Sequence, residues 1–276
     1  MKNDFNPLDY RMPFEQPKRL SIQSQWNEHV PFAMTVIEAL QPRLVVELGT
    51  QFGVSHCAWC QAAAALETGS RCYAVDTWAG DPHTGFYGTE VYDDLVAHHH
   101  EYESFSTLLR MTFDEALNQF SDGSIDLLHI DGLHTYEAVR HDFEAWLPKM
   151  SKAGVVLFHD TIEVEKEFGV YRLWDEITVG RRHFNFEHCH GLGVLLVGSE
   201  PPAAISGFFD AAEAHPAAMR SLFSSLGRRV QLELEGRERQ RRDAARKAQR
   251  PTVLGDLKRV QSRLAFWLRV LTSRPR

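Results

Sequence analysis

Four short apolar runs, each ending on or beside an acid, constrain the fold of this chain more than anything else in it. They are Arg43 to Leu48 (RLVVEL), Cys72 to Asp76 (CYAVD), Ile125 to Asp131 (IDLLHID) and Gly154 to Asp160 (GVVLFHD). Their apolar residues are continuous rather than alternating, which predicts strands covered on both faces, and such strands belong to parallel sheets. Helical stretches separate them: Val54 to Leu66 is Ala-rich, and Tyr136 to Met150 has helical periodicity. Strand, turn, helix, strand in repetition gives a Rossmann-like, doubly wound α/β fold with a mostly parallel sheet. Gly191 to Gly198 (GLGVLLVG) reads as one late strand, and residues 21–40 as a helix before the first.

A chain of 276 residues, 43% apolar, has room for one such domain and an appendage. No run approaches the roughly 18 apolar residues of a membrane span, and the first residues are polar, so a cytoplasmic location is expected. Pro201 and Pro202 suggest a boundary: residues 1–30 as an N-terminal segment, 31–200 as the α/β domain, and 201–276 as a helical extension. Charge is divided along the same line. From Gly227 onward 15 Lys/Arg face 5 Asp/Glu, so on a chain of net charge −7 the tail carries +10 and the body −17. An acidic body argues against nucleic acid as a partner. Within the tail, Val253 to Leu271 predicts a basic amphipathic helix, suited to packing, to contact with a second copy of the chain, or to peripheral attachment at the inner face of a membrane.

Open α/β sheets bind ligands at the carboxyl ends of their strands. Glu47, Gly49, Thr50 and Gly53 fall in the turn after the first strand, where missing side chains let backbone approach a ligand, and Asp76 ends the second strand, where a carboxylate can accept both hydroxyls of a ribose. The glycine spacing is Gly-x-x-x-Gly rather than the Gly-x-Gly-x-x-Gly of dinucleotide sites. An acid beside the turn repels pyrophosphate and attracts the sulfonium and ammonium of S-adenosylmethionine. A nicotinamide-dependent oxidoreductase is therefore disfavoured.

The segments VVELGTQFGVS, YAVDTW, LLHIDGLHTYEAVRHDFEAWLPKMSKAGVVLFHDT and GLGV together resemble the class I methyltransferases, in particular the branch of macrolide-sugar O-methyltransferases, cephalosporin-hydroxylase-like proteins and polysaccharide-modifying enzymes. The resemblance covers residues ~30–200. It implies that Glu47, Gly49, Gly53 and Asp76 hold S-adenosylmethionine, and that Met111, within Met111 to Asp114, flanks the adenine.

Asp131-Gly-Leu-His134 follows one strand and His159-Asp160 ends the next, so the four side chains can converge at the cleft mouth. Methyl transfer to a hydroxyl needs the acceptor oxygen held in line and its proton removed, work for a histidine and, in some enzymes, a carboxylate-held divalent ion. The resemblance makes Asp131 a metal ligand and His134 the base, with an acidic pair completing a Mg²⁺ site. Here that pair is His159-Asp160, and an imidazole suits Mg²⁺ poorly. The set Asp131, His159 and Asp160 with Mg²⁺ or Mn²⁺, and a metal-free site with His134 oriented by Asp131 or Asp160, both remain open. Two long connections, Trp78 to Ser104 and Thr161 to Gly191, are placed to shape an acceptor pocket. The resemblance implies O-methylation of a sugar hydroxyl on a glycoside, a surface glycan or a precursor of one. The alternative is a catalytically silent S-adenosylmethionine-binding partner in glycan assembly.

Overall fold

The structure, a computed structural model, describes residues 5–165, 167–249 and 261–266. Seven strands form one sheet: β1 (Leu44–Leu48), β2 (Arg71–Asp76), β5 (Ser106–Arg110), β6 (Ile125–Ile130), β7 (Met150–His159), β8 (His183–Phe186) and β9 (Leu192–Leu196). A separate two-stranded hairpin, β3 (Gly80–Asp81) with β4 (Gly85–Phe86), lies between β2 and β5 in sequence. The sheet order is β5-β2-β1-β6-β7-β9-β8. Pairings from β5 through β7 are parallel, and β9 pairs antiparallel with β7 and β8. The order reverses between β1 and β6, which places the ligand crevice at their carboxyl ends.

Continuous apolar strands produce the two cores they predict. Val45, Leu127, Val155 and Leu157 point into one core with Phe32, Trp59 and Phe208, while Val46, Leu128, Val156 and Phe158 point into the other with Phe143 and Trp146. Helices α1 (Val30–Leu40), α2 (Val54–Leu66) and α7 (Ala203–Ala214) contribute to the first, and α5 (Tyr136–Trp146) and α6 (Val170–Ile177) to the second. Each large side chain buried this way is worth roughly 1.5–3 kcal/mol before the entropy of ordering it is counted.

Several expected boundaries move. The helix predicted over residues 21–40 starts only at Val30, behind a short turn at Asn27–His29, with Pro31 in its first turn, where its missing N–H is no loss. The breaks at 30 and 200 are not edges of a compact unit, because one unit runs Met1–Leu234 and the other Glu235–Arg276. Phe5, Met12 and Trp26 from the N-terminal segment, and Phe208, Phe209 and Phe223 beyond Pro202, are buried in the same core as β1. Strand β8 forms where the sequence suggested only a long connection. Its His183 and Asn185 alternate with buried Phe184 and Phe186, the pattern of an edge strand. Helices α3 (Glu90–His99) and α4 (Phe113–Ala116) fill the remaining connections, and α8 spans Pro216–Gln249. In the second unit, α8 through Gln249 and the helical residues 261–266 are described, and most of the predicted Val253 to Leu271 helix lies outside the described residues. Among the described residues no helix is long and apolar enough to cross a membrane.

Candidate active site

A cavity of about 590 Å³ opens at the carboxyl ends of β1, β2, β5, β6 and β7. Gly49, Thr50, Asp76, Asp131, His134, His159 and Asp160 all line it, so residues spread over 111 positions of sequence meet in one pocket. Glu47, Gly53 and Met111 do not line it.

Glu47 is fully buried behind the turn, where Oε2 accepts hydrogen bonds from Trp59 Nε1 and His129 Nδ1, each at 3.0 Å. Burial alone would raise its pKa, but the bond and charge of His129 outweigh this and hold it below the usual carboxylate range. Its work is to tie β1 to α2 and β6. The glycines also act differently from expectation. Gly49 has φ +86°, and a Cβ there would stand 1.9 Å from the carbonyl oxygen of Asp131; Gly53 has φ +71°, and a Cβ would stand 2.3 Å from Leu95. The missing side chains make room for the protein's own chain. Met111 packs beside the second core, and its neighbours Thr112 and Phe113 line the cavity instead.

Asp76 is pocket-lining as expected, and it also pins the turn. Its Oδ2 accepts the backbone N–H groups of Thr50 and Gln51, both at 2.9 Å, and its Oδ1 that of Trp78 at 2.7 Å. Thr50 lines the same cavity, and its hydroxyl is buried with no hydrogen-bond partner.

The catalytic candidates converge. His134 Nε2 lies 2.8 Å from Asp160 Oδ2 and 3.6 Å from Asp131 Oδ1. His159 Nδ1 lies 3.4 Å from Asp131 and 3.3 Å from Asp160, and its Nε2 donates to the carbonyl of Cys189. Burial alone would lower both histidines, but the two carboxylates prevail, holding His134 up at about 9 and His159 well above its ordinary value. Burial would likewise raise the acids, yet the facing imidazoles bring Asp160 to about 2 and Asp131 well below its ordinary value. The ligand atoms close enough to hold one metal ion, within 4.8 Å of one another, belong to Asp131, His134 and Asp160. Of the expected set Asp131, His159 and Asp160, the two acids belong to this group, while His159 turns Nδ1 toward the same two carboxylates and anchors Nε2 on the Cys189 carbonyl.

Backbone strain gathers here. Asp160 (φ 61°), Cys189 (φ 44°) and His190 (φ 67°) sit in the left-handed region that side chains disfavour, each costing on the order of 1 kcal/mol. Backbone bonds from Asp160 N to Gly191 O and from Ile162 N to His190 O hold them there, and His29 Nε2 donates to the Cys189 carbonyl at 3.1 Å.

Sequence reasoning missed His83 and Phe168. His83 follows the β3 strand in a turn fixed by Asp81, whose Oδ1 accepts the N–H groups of His83 and Thr84. Its Nδ1 comes within 3.4 Å of His134 Nδ1, and the ring of Phe168 stacks on His134 with centroids 4.7 Å apart. The one signal available was the turn composition Gly-Asp-Pro-His-Thr-Gly at 80–85, which marks a turn and says nothing of what the turn faces.

Residues 46–161 match the family described as a methyltransferase domain. Over that stretch the chain is similar to a methyltransferase domain. The fold likeness agrees: cofactor-bound Rv0187 from MTB superposes with a TM-score of 0.50 at 14% identity, over 66% of this chain and 84% of that one. The O-methyltransferase TomG from Streptomyces achromogenes, solved in complex with SAM, gives 0.48 at 14% identity, over 71% and 98%. An uncharacterized protein of Sinorhizobium fredii, y4gI, is 50% identical over 189 residues, which are 68% of this chain and 21% of that protein. The chain therefore spans about a fifth of the length of the curated relative it matches. The pinned glycine turn and the pocket-facing Asp76 stand together at the ends of β1 and β2.

Proposed function

We propose that this domain transfers the methyl group of S-adenosylmethionine to a hydroxyl of a sugar. The observation that carries the acceptor class is the lining of the cavity beyond Asp131. The stretches 23–26, 80–87 and 159–168, with Leu133, His134 and His190, supply Gln, Ser, Thr, His, Asp and Glu together with the aromatic rings of Trp26, Tyr87 and Phe168; among the described residues Leu133 is the aliphatic side chain they bring to the cavity, and they bring no Lys or Arg. Ligand pockets are ordinarily apolar with a few polar groups. Hydrogen-bonding groups in excess, with flat rings among them, suit a polyhydroxylated ring better than a planar apolar acceptor.

When bound, the cofactor supplies an electrophilic methyl on a sulfonium. Asp160 faces His134 Nε2 and so keeps the proton on that nitrogen, which leaves Nδ1 as the basic atom, turned toward His83. His134 takes the acceptor's hydroxyl proton at Nδ1 as the oxygen attacks, and Asp160 and Asp131 stabilise the imidazolium that results. A group held at about 9 is mostly protonated at neutral pH. A positive charge seated beside Asp131 opposes that proton and moves His134 toward the working range of a base. Phe168 fixes the ring plane.

A second reading is favoured by the convergence of Asp131, His134 and Asp160: a divalent ion held there would polarise the acceptor oxygen, and two carboxylates with one imidazole suit Mn²⁺, Fe²⁺ or Zn²⁺ better than Mg²⁺. In that case His134 is a ligand and not the base.

Titration calorimetry of the full chain with S-adenosylhomocysteine, with EDTA and then with Mn²⁺, tests both readings. Micromolar binding in EDTA, at least tenfold weaker in Asp76→Ala, with methyl transfer to sugars that persists without metal, supports the first. Absence of binding by the folded protein under either condition overturns the assignment, and transfer that appears only with Mn²⁺ selects the second reading.

A further inference from the structure

We infer that His29 is a positioning residue for the acceptor half of the site, holding the turn on which His159 and Asp160 are mounted. The effect on catalysis rests on the O-methyltransferase reading; the hold on the turn does not. His29 closes the short turn Asn27–His29 ahead of α1 and is fully buried. The rings packed around its imidazole fix its direction: Trp26 meets it edge-on with centroids 5.4 Å apart, His159 does the same at 5.5 Å, and His188 lies at 4.5 Å. Its Nε2 then reaches the carbonyl oxygen of Cys189 at 3.1 Å, and His159 Nε2 reaches the same oxygen at 3.2 Å. A carbonyl only accepts, so each of these nitrogens carries a hydrogen, and the two bonds together use both lone pairs of the oxygen.

That carbonyl belongs to a strained stretch of backbone. Cys189 (φ 44°), His190 (φ 67°) and Gly191 (φ 91°) are left-handed in succession, a conformation that persists only where the surroundings hold it. The end of β7 hangs from this turn: Asp160 N donates to Gly191 O and Ile162 N to His190 O, both at 3.1 Å, and His159 is anchored through its ring on Cys189 O. A shift of the turn therefore carries with it the carboxylate that faces His134 Nε2 at 2.8 Å. Filling the space would be served equally well by an apolar ring, whereas this imidazole spends its N–H on the carbonyl that also anchors His159. Neither His29 nor Cys189 lies in the stretch 46–161 that matches a methyltransferase domain, so that likeness does not supply this tie.

The test compares the full chain with His29→Phe, which keeps a buried ring and removes the donor, and with His29→Gln, which keeps an N–H within reach of the carbonyl. Amide hydrogen exchange reads the hold on the turn whatever the reaction is. In His29→Phe the amides of Asp160 and Ile162 should exchange about tenfold faster or more, while that of Asp131, which donates to Leu48 O at the neighbouring strand end, keeps its rate. His29→Gln should bring the first two back toward wild type. With sugar acceptors, kcat should fall about tenfold or more in His29→Phe and recover in His29→Gln, with the Kd for S-adenosylhomocysteine unchanged in both. Equal acceleration at all three amides shows a ring that only packs, and overturns the inference; so does an unchanged exchange pattern, or an unchanged kcat. If His29→Phe does not fold, nitrogen NMR of the wild-type chain labelled at histidine decides, because a hydrogen on Nδ1 of His29 rather than Nε2 overturns the inference and one on Nε2 supports it. Selective exchange at Asp160 and Ile162 in a protein that binds no S-adenosylhomocysteine would sink the methyltransferase reading and leave the hold on the turn standing, so the two failures are told apart.

Discussion

The two halves of the cavity are built by different means. On the donor side, at the ends of β1, β2 and β6, backbone does most of the work: Gly49 passes against the carbonyl of Asp131, and Asp76 gathers three backbone N–H groups. On the acceptor side, at the end of β7 and along the Cys189–Gly191 turn, side chains carry the site; left-handed residues other than glycine occur on both sides, Asp160, Cys189 and His190 here and Gln51 in the donor turn. The donor half depends on atoms every residue has, so its requirements appear in sequence as glycines at fixed places. The acceptor half depends on which side chains are brought together. That difference can be broken experimentally, and the largest effect is expected on the donor side.

Gly49→Ala puts a Cβ 1.9 Å from the Asp131 carbonyl oxygen, a backbone atom that cannot swing away, at a φ of +86°. The expected loss is on the order of 3 kcal/mol or more, with Asp131 displaced and S-adenosylhomocysteine binding reduced at least tenfold. Gly85→Ala, in the β3–β4 hairpin of the acceptor half, has a similar φ of +82° but nothing within 4 Å of the new Cβ. It should cost about 1 kcal/mol of conformational strain and leave cofactor binding intact. Chemical denaturation of the two variants side by side measures the comparison, and equal losses would remove it.

Asp160→Asn probes the acceptor half at constant backbone, since Asn tolerates the left-handed conformation that Asp160 adopts at φ 61°. The folded pKa of Asp160 is held at about 2, below its ordinary value, so its contribution is present above about pH 4 and disappears as pH falls through 2. His134 is held up at about 9, so its contribution is present below about pH 6.5 and disappears as pH rises through 9. The two describe one ion pair and are not added. Wild type should show a stability plateau between about pH 4 and 6.5 that the variant lowers by about 2 kcal/mol. Urea midpoints across pH check this, and an unchanged profile would mean that the pair contributes nothing to folding. Methyl transfer should fall further than stability does, because the variant also loses the group that orients His134.

The same contrast explains what could be read in advance. Apolar continuity in β1, β2, β6 and β7 specifies a parallel sheet because burial on both faces permits no other composition, and strand-end acids then fall at the switch point by topology alone. Asp131, His134 and Asp160 met in the structure for that reason. Glu47 misled because an acid beside a glycine turn looks the same whether it faces a ligand or a buried histidine, and only the position of His129 on the neighbouring strand distinguishes the two. His83 and Phe168 were unreadable because their place depends on how a six-residue turn and an irregular segment fold back over the sheet end, and no periodicity records that. Strand β8 hid because an edge strand alternates only briefly.

Asp142 offers the smallest and sharpest test, since it supports a loop that both halves share. It lies on α5 with its carboxylate behind Gly132, 3.3 Å from where a Cβ of that glycine would stand, between Asp131 and His134 in sequence. Burial pushes its pKa up to about 7, with nearby His141 pulling the other way. A folded pKa raised above the unfolded one means that stability is full below about pH 4 and falls as pH rises toward 7, because ionising the carboxyl inside the protein costs more than ionising it in water. Asn cannot ionise, so Asp142→Asn should be more stable than wild type at pH 8 by about 1 kcal/mol, the gain limited because a buried amide also needs partners, and should match or fall slightly below it at pH 4. Thermal melts at the two pH values read this directly. An advantage at pH 8 with S-adenosylhomocysteine affinity unchanged would place Asp142 in the scaffold behind the site. A fall in affinity would show that its charge reaches through Gly132 to the donor half, and the division between a backbone-built half and a side-chain-built half would then have to be redrawn at this loop.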